Sequence, residues 1–232
     1  MPTRELLKYK AEDNFKDFYE RIKSLVPELE RFMVASLKVS ENQGKIDRQF
    51  YDPRGMLDEV YLDIFRNLPE DMDLNKLKHL LFEKSITKID DLLQQEAETS
   101  TAIHADNILK QELNRLQEKW FVDVDGDLLL KTELDDISYK QDHQWSPPIL
   151  LDEAVEQQLI HKLDLDESNF LSEEKRGLMG SVYDRIPSRS RHMLELFVFG
   201  DQTQKDISEI MHINEEKVSR MLRIMFEKFR LI

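Results

Sequence analysis

Residues 186–232 restrict the fold more than any other stretch, because their apolar residues recur at helical spacing in three runs separated by short gaps. Gly200 and Asp201 end the first run, since glycine tolerates the left-handed conformation that helix ends often need. Thr203 and Asn214 precede the second and third runs and can cap the helices that follow. A short helix, a tight turn and a longer helix form a helix-turn-helix, so this motif is predicted at the C-terminal end.

The predicted third helix has Val218 and Leu222 in its apolar stripe and charged residues on the opposite face. Arg220 and Arg223 lie on that face, where guanidinium groups can bind guanine edges or phosphates of DNA. A plain packing unit with a solvated charged face explains the same periodicity, because any surface helix of a soluble domain is amphipathic. Periodicity alone therefore leaves DNA binding and simple packing open.

The composition of the 232 residues excludes several classes of protein. Hydrophobic residues make up 40% of the chain, which is enough for a core, so a disordered protein is not expected. The lack of cysteine excludes a disulfide scaffold and a thiolate metal site. No apolar run approaches the length of a bilayer-spanning helix, and the N-terminus lacks the apolar core of a secretion signal. A cytoplasmic protein without membrane insertion is therefore expected.

The net charge of −14 is unusual for a protein that binds DNA, because such proteins generally carry a basic surface. The acidity is concentrated in residues 96–185, which contain 21 aspartates and glutamates against 9 lysines and arginines. Residues 186–232 contain 7 acidic and 8 basic residues and are close to neutral. The acidic part of the chain thus lies away from the predicted helix-turn-helix.

Residues 1–98 have the pattern of a helical bundle. Apolar residues share one helical face over residues 13–38, where Pro27 is expected to kink the helix. A second helix is predicted to begin at Pro53, since proline is favoured at the first helical position. Asp73 can cap a third helix, which carries a further row of leucines and isoleucines.

The middle of the chain contains a signal for a small β-hairpin near residues 120–132. The pair Asp125-Gly126 separates two apolar runs there, and this dipeptide favours a tight hairpin turn. Asp123, Asp125 and Asp127 resemble the start of a calcium loop, but the later ligands and the closing glutamate are missing, so no metal site is expected.

The predicted fold class is mainly α, with two helical domains joined by an acidic insert that contains the hairpin. The expected domains are residues 1–98, an insert and linker of residues 99–169, and a C-terminal helix-turn-helix domain of residues 170–232.

The C-terminal residues follow a specific order: an aliphatic residue with proline, a spaced arginine, an aliphatic helix, an acidic-aliphatic helix and a third helix. The matching positions are Ile186-Pro187, Arg191, Leu194-Glu195-Leu196, Asp206-Ile207-Ser208-Glu209-Ile210, Ile213-Asn214-Glu215, Val218 and Arg220-Met221-Leu222. This order resembles the C-terminal promoter-binding domain of bacterial RNA polymerase sigma factors, most closely of the extracytoplasmic-function type. The resemblance implies promoter DNA as a partner. The residues expected to contact it are Arg189, Arg191, Lys205, Lys217, Ser219, Arg220 and Arg223.

A second resemblance to the same family lies in the first half of the chain. The stretch from Asp52 to Leu62 is similar to the sigma-factor helix that docks on the clamp coiled coil of RNA polymerase, with Gly55 in place of the family's second aspartate and Asp58 in place of its glutamine. The resemblance implies core RNA polymerase as a partner. The residues expected to contact it are Asp52, Leu57, Asp58, Glu59 and Tyr61.

The next helix departs from the family more strongly. In sigma factors the corresponding helix melts the promoter with a tryptophan, further aromatics and a basic tail, which suit stacking on flipped bases. Here Leu74–Gln95 has Phe82 as its single aromatic residue and no tryptophan, and its tail is Gln94-Gln95-Glu96 in place of arginines. It keeps four lysines: Lys76, Lys78, Lys84 and Lys88. Polymerase docking is therefore better supported than promoter melting.

No catalytic arrangement emerges from the sequence. The six histidines form no spaced pair typical of metal ligands on one helix, and the six glycines form no phosphate-binding loop. The chain is therefore expected not to be an enzyme and to need no cofactor.

The leading hypothesis is a sigma-factor-like initiation protein, with an anti-sigma factor as a further candidate partner. An alternative is a sigma-derived adaptor or antagonist that binds polymerase or a regulator without opening promoters. The third hypothesis is a dimeric regulator with a generic helix-turn-helix.

Overall fold

The computed structural model describes most of the chain, and the described residues are mainly helical, as the sequence predicts. The described residues are 2–69, 72–102, 120–122, 128–130, 150–170 and 172–232. Within these ranges no helix combines the length and the apolar character that crossing a lipid bilayer requires.

The chain divides into two compact units. One contains residues 1–93 together with residues 149–232, and the other contains residues 94–148. The segments predicted as two separate helical domains therefore contribute to a single compact unit, apart from a few residues at the end of the first.

Four helices open the first unit: α1 (Pro2–Ala11), α2 (Phe15–Leu25), α3 (Pro27–Asn42) and α4 (Pro53–Asn67). Pro27 begins α3 instead of kinking one continuous helix, because a residue without a backbone N–H is tolerated best in the first turn. Apolar side chains of these helices meet in the core, where the rings of Phe18 and Phe65 pack edge to face with centroids 5.0 Å apart.

Helices α4 and α5 (Leu74–Ala102) begin at caps that the sequence indicates. The Asp52 carboxylate accepts hydrogen bonds from the backbone N–H groups of Arg54 and Gly55, each at 3.1 Å. Asp73 accepts one from Lys76 N–H at 2.8 Å. Such bonds satisfy donors that the first turn of a helix otherwise leaves unpaired.

The C-terminal half of the first unit contains α6 (Glu153–Lys162), a 3-10 turn (Glu167–Phe170), α7 (Glu173–Asp184), α8 (Ser188–Val198), α9 (Gln204–Ile210) and α10 (Glu215–Arg230). Thr203 and Asp206 form a reciprocal capping box at α9, and Asn214 caps α10 through Glu216 N–H. These caps confirm the predicted starts of the second and third C-terminal helices.

Gly200 is needed for close packing, not for a left-handed backbone. A Cβ atom at this position would lie 2.8 Å from the Leu196 carbonyl oxygen and 3.0 Å from the Phe82 ring. The left-handed residue is the next one, Asp201, with φ of 52°. Aspartate tolerates that conformation better than most residues, so the left-handed conformation expected at the glycine is adopted by its neighbour.

One hydrophobic core joins the N-terminal and C-terminal helices of the first unit. Helix α3 packs against α4, α6 and α8, and α8 packs against both α9 and α10. Phe82 of α5 lies fully buried with its ring edge to face on Phe32 of α3, centroids 5.4 Å apart. The helix-turn-helix therefore shares its core with the N-terminal bundle.

The second unit contains a pair of antiparallel strands, β1 (Trp120–Val122) and β2 (Leu128–Leu130), with Phe121 opposite Leu129. The predicted turn at Asp125-Gly126 and the aspartates Asp123, Asp125 and Asp127 lie outside the described residues. The acidic residues 133–149 fall outside them as well.

Candidate nucleic-acid interface

Helices α8, α9 and α10 form the trihelical unit in which a nucleic-acid interface was predicted. Val218, Leu222, Met225 and Phe229 recur along α10 and are all buried against the other helices. The turn between α9 and α10 contains His212 with φ of 53°, a left-handed conformation in which histidine is more frequent than most side chains. The opposite face of α10 is left in solvent.

The exposed face of α10 carries four of the predicted DNA-contacting residues: Lys217, Ser219, Arg220 and Arg223. Among the described residues, neither arginine has an ion-pair or hydrogen-bond partner, so both guanidinium groups are free to bind a ligand. Glu215 and Glu216 occupy the first turn of the same helix and are exposed. Carboxylates at this end interact favourably with the helix dipole and stabilise the helix. They also repel phosphates, which limits how closely a DNA backbone approaches this end.

Arg189 and Lys205 are also exposed, but Arg191 is not. Arg191 is 6% exposed, and its guanidinium binds Gln43 Oε1 on the α3 side and the Ile186 carbonyl oxygen at 3.4 Å. A phosphate contact requires an exposed side chain, so Arg191 has a structural role here in place of the expected DNA contact. The reason is that α8 is covered from several sides, which its sequence pattern does not reveal.

The residues predicted to bind polymerase separate into exposed and buried groups. Asp52, Asp58 and Glu59 are exposed, whereas Leu57 is 3% and Tyr61 is 2% exposed. Leu57 and Tyr61 therefore hold α4 in the core and do not face a partner, contrary to the role inferred from the resemblance.

The exposed acids of α4 already have intramolecular partners. Asp52 caps its own helix, and Glu59 forms an ion pair with Lys88 of α5. Asp58 hydrogen-bonds Tyr19, and burial together with this carboxylate raises the pKa of the Tyr19 hydroxyl. A partner that binds this surface would therefore compete with contacts inside the protein.

The basic residues of α5 are also engaged within the protein. Lys84 binds Asp63 of α4 at 2.9 Å, and this contact holds the pKa of Asp63 below its usual value. Lys78 binds Glu28 of α3, and Lys76 lies 3.9 Å from Asp73. With Lys88 bound to Glu59, all four lysines that the sequence offered for contact with promoter DNA are paired.

The contacts between α5 and the C-terminal helices use histidines, which sequence reasoning did not single out. His79 places Nε2 2.9 Å from Asp206 and Nδ1 3.1 Å from Glu209, both on α9. His212 lies 3.3 Å from Glu83 of α5. The partners are more than a hundred positions apart in the chain, so no local pattern could have indicated them.

A buried polar cluster lies where α3, α5, α7 and α8 meet. Glu195, 2% exposed, accepts hydrogen bonds from Tyr183 at 2.9 Å and from Ser36 at 3.1 Å, and lies 3.3 Å from His192 Nδ1. His192 Nε2 lies 2.8 Å from Asp90 of α5. Burial alone would lower the pKa of His192, but the hydrogen bonds to Asp90 and Glu195 raise it to about 9. The cluster therefore holds an imidazolium between two carboxylates at neutral pH.

An open cleft of about 360 Å³ lies between α5 and the ends of α8 and α9. Arg189, His192 and His212 face it from the C-terminal side, and Glu83 and Asp90 face it from α5. In the described parts of the chain, no set of three His, Asp or Glu side chains is arranged to hold a metal ion. The two carboxylates near His79 bind opposite sides of its ring and so do not converge on one point.

Comparison of the chain with protein-family profiles, with curated proteins and with solved structures finds no significant match. The function is therefore argued from the residues and their contacts.

Proposed function

We propose that this protein is a sigma-factor-like transcription initiation protein that binds core RNA polymerase in the cytoplasm and directs it to promoters through α10. The observation that carries the proposal is the exposed face of α10 in a helix-turn-helix, with Arg220 and Arg223 free of partners among the described residues. In this motif the second helix enters the major groove, where arginine binds guanine with two hydrogen bonds.

Because the C-terminal helices are close to neutral, their binding to DNA is expected to depend on a larger partner. A basic footprint generally supplies the sequence-independent part of DNA affinity, and residues 186–232 have nearly equal numbers of acids and bases. A protein of this charge gains affinity when a polymerase that itself holds DNA positions it. Binding to DNA alone is therefore expected to be weak, and binding in a polymerase complex stronger.

On the N-terminal side, the proposal assigns polymerase contact to the exposed residues of α4, Asp52, Asp58 and Glu59. Leu57 and Tyr61 support that surface from beneath. The carboxylates suit a basic partner surface, because complementary charge speeds association and fixes orientation. An anti-sigma factor that covers this surface would be a competitor of the polymerase.

The first test is co-purification with bacterial core RNA polymerase at low salt. The proposal expects a stable complex with the full chain, and absence of the complex would contradict it. The second test measures retention of promoter DNA by that complex for R220A/R223A. We expect retention to be lost without any change in the helical circular dichroism, because both side chains are in solvent.

A matched control for the second test is K228A/R230A, which removes the same charge from the last turn of the same helix, where both side chains are exposed. If α10 reads DNA through Arg220 and Arg223, the control keeps most of its retention. Equal losses in both variants would mean that only the total charge matters.

A second candidate function is an adaptor or antagonist that binds polymerase without opening promoters. The observation that favours it is the pairing of all four α5 lysines and the burial of Phe82, which leave α5 without a free base-stacking or phosphate-binding group among these residues. Run-off transcription with core polymerase separates the two functions. A transcript from a selected promoter supports initiation, and binding without transcript supports the adaptor.

A further inference from the structure

The ion pairs of α5 differ in their basic residue according to the part of the unit that they connect to. Its lysines pair with acids of α3, α4 and the residue before α5, all in the N-terminal half of the first unit. Among the described residues, every ion pair from α5 to α8, α9 or the following turn uses a histidine. These pairs are His79 with Asp206, His79 with Glu209, Asp90 with His192, and Glu83 with His212.

Two of these histidines are flanked by carboxylates on both ring nitrogens. His79 lies between Asp206 and Glu209, and His192 lies between Asp90 and Glu195. A neutral imidazole has one N–H donor and one lone pair, whereas the protonated ring donates from both nitrogens. Ionised carboxylates only accept hydrogen bonds, so each arrangement is complete only when the ring carries its second proton.

We propose that the joint between α5 and the helix-turn-helix contains a proton-dependent clasp, closed while the His192 ring between Asp90 and Glu195 carries its second proton and loosened when that proton is lost. Deprotonation turns one ring lone pair of His192 toward a carboxylate. The proposal does not depend on the function proposed above, because it concerns contacts inside the chain.

Cationic side chains around the clasp disfavour a protonated ring, whereas the carboxylates bound to the ring nitrogens favour it. Near His79 are Lys76 and Lys78 on its own helix, and Lys78 is already neutralised by Glu28. Arg189 faces the cleft beside Glu83, Asp90 and His212. Around Glu195, which binds His192, the further charged or titratable groups are Tyr183, Arg191 and Lys45, and Asp184 lies near Lys45.

The buried histidine of the clasp, His192, sets the highest pH at which the clasp stays closed. Hydrogen bonds to Asp90 and Glu195 overcome the effect of burial and raise the pKa of His192 to about 9, so this ring stays charged through neutrality. Full loosening is therefore expected only above that pH.

The joint also involves α9, the first helix of the helix-turn-helix. In helix-turn-helix proteins the first helix of the motif crosses the DNA backbone, and here that helix is α9, whose Asp206 and Glu209 are bound to His79.

The experiment is a distance measurement by single-molecule fluorescence on the full chain. The protein has no cysteine, so R66C on α4 and K228C on α10 provide two unique label sites, both exposed. Helix α4 is tied to α5 by the Lys84 and Lys88 ion pairs, so the distance reports the joint. We expect the fraction of molecules with the short distance to fall at least about twofold between about pH 6 and about pH 9.5.

The variant D90N replaces the carboxylate at His192 Nε2 with a near-isosteric amide at a half-exposed position, and we expect it to show a much smaller pH response. The matched control H161Q changes an exposed histidine of α6, outside the joint, and is expected to respond like the unsubstituted chain. Three results would overturn the proposal: the same short-distance fraction at both pH values, an undiminished response in D90N, or a distance change accompanied by loss of helical circular dichroism.

Discussion

Helices α5 and α10 both carry several basic side chains, but they use them in opposite ways. The four lysines of α5 and its histidine form ion pairs with other helices or with the residue before α5. On α10, Arg220 and Arg223 face solvent with no partner among the described residues. The difference indicates that charge on α5 serves to hold the unit together, whereas charge on α10 is available for binding.

Two glutamates differ most in this respect. Glu195 is bonded within the buried cluster, and Glu227 lies on the exposed face of α10. We expect E195A to lower the free energy of unfolding by about 3–5 kcal/mol, because it leaves the His192 ring and the Tyr183 hydroxyl without their shared acceptor. Urea denaturation at neutral pH measures this. E227A is the control and should change stability by no more than about 0.5 kcal/mol. Similar values for the two variants would show that the cluster has no special role.

The second prediction concerns the pH dependence of the same cluster. The pKa of His192 is raised to about 9 in the folded protein, so its contribution to stability is fully present below the unfolded value near 6.5 and is lost as the pH rises through 9. The expected loss is on the order of 3 kcal/mol. Urea denaturation across that pH range measures it.

D90N is the control for the pH dependence, because Asp90 is half-exposed and its carboxylate is a main cause of the raised pKa. The slope of stability against pH should be smaller in D90N than in the unsubstituted chain. An equal slope would assign the pH dependence to other groups.

The third prediction compares the two helices directly in DNA binding. With core polymerase present, we expect R220A/R223A to weaken promoter DNA retention at least about tenfold, since each arginine–guanine contact contributes about 1–3 kcal/mol. K84A/K88A removes the same number of charges from α5 and should leave retention nearly unchanged, because both lysines are already bound to α4 carboxylates. A larger loss in K84A/K88A would transfer the DNA contact to α5.

The sequence predicted those parts of the fold that depend on neighbours along the chain. The caps at Asp73, Thr203 and Asn214 are local signals, because each side chain binds a backbone N–H two or three residues away. The apolar stripe of α10 is likewise a repeat within one helix. Such features need no knowledge of the rest of the structure.

The parts that could not be predicted depend on which helices meet. Arg191 and Arg220 both have the sequence context of a surface arginine, and only the packing of α8 beneath α3 and α10 separates them. Tyr61 matched an aromatic position of the sigma-factor helix, but it lies against Tyr19 with ring centroids 5.5 Å apart. A motif therefore indicated the helix correctly and left open which of its residues face outward.

The smallest expected effect concerns the stability of those same double variants. We expect K84A/K88A to lower the free energy of unfolding by about 1 kcal/mol or less, because half-exposed ion pairs contribute little in water. R220A/R223A should lie within about 0.5 kcal/mol of the unsubstituted chain, since neither side chain has a partner to lose. Raising the salt concentration should reduce the K84A/K88A effect further, because screening weakens the pairs that the variant removes. If instead R220A/R223A were the more destabilising variant, the α10 arginines would have structural contacts, and the division of roles between the two helices would fail.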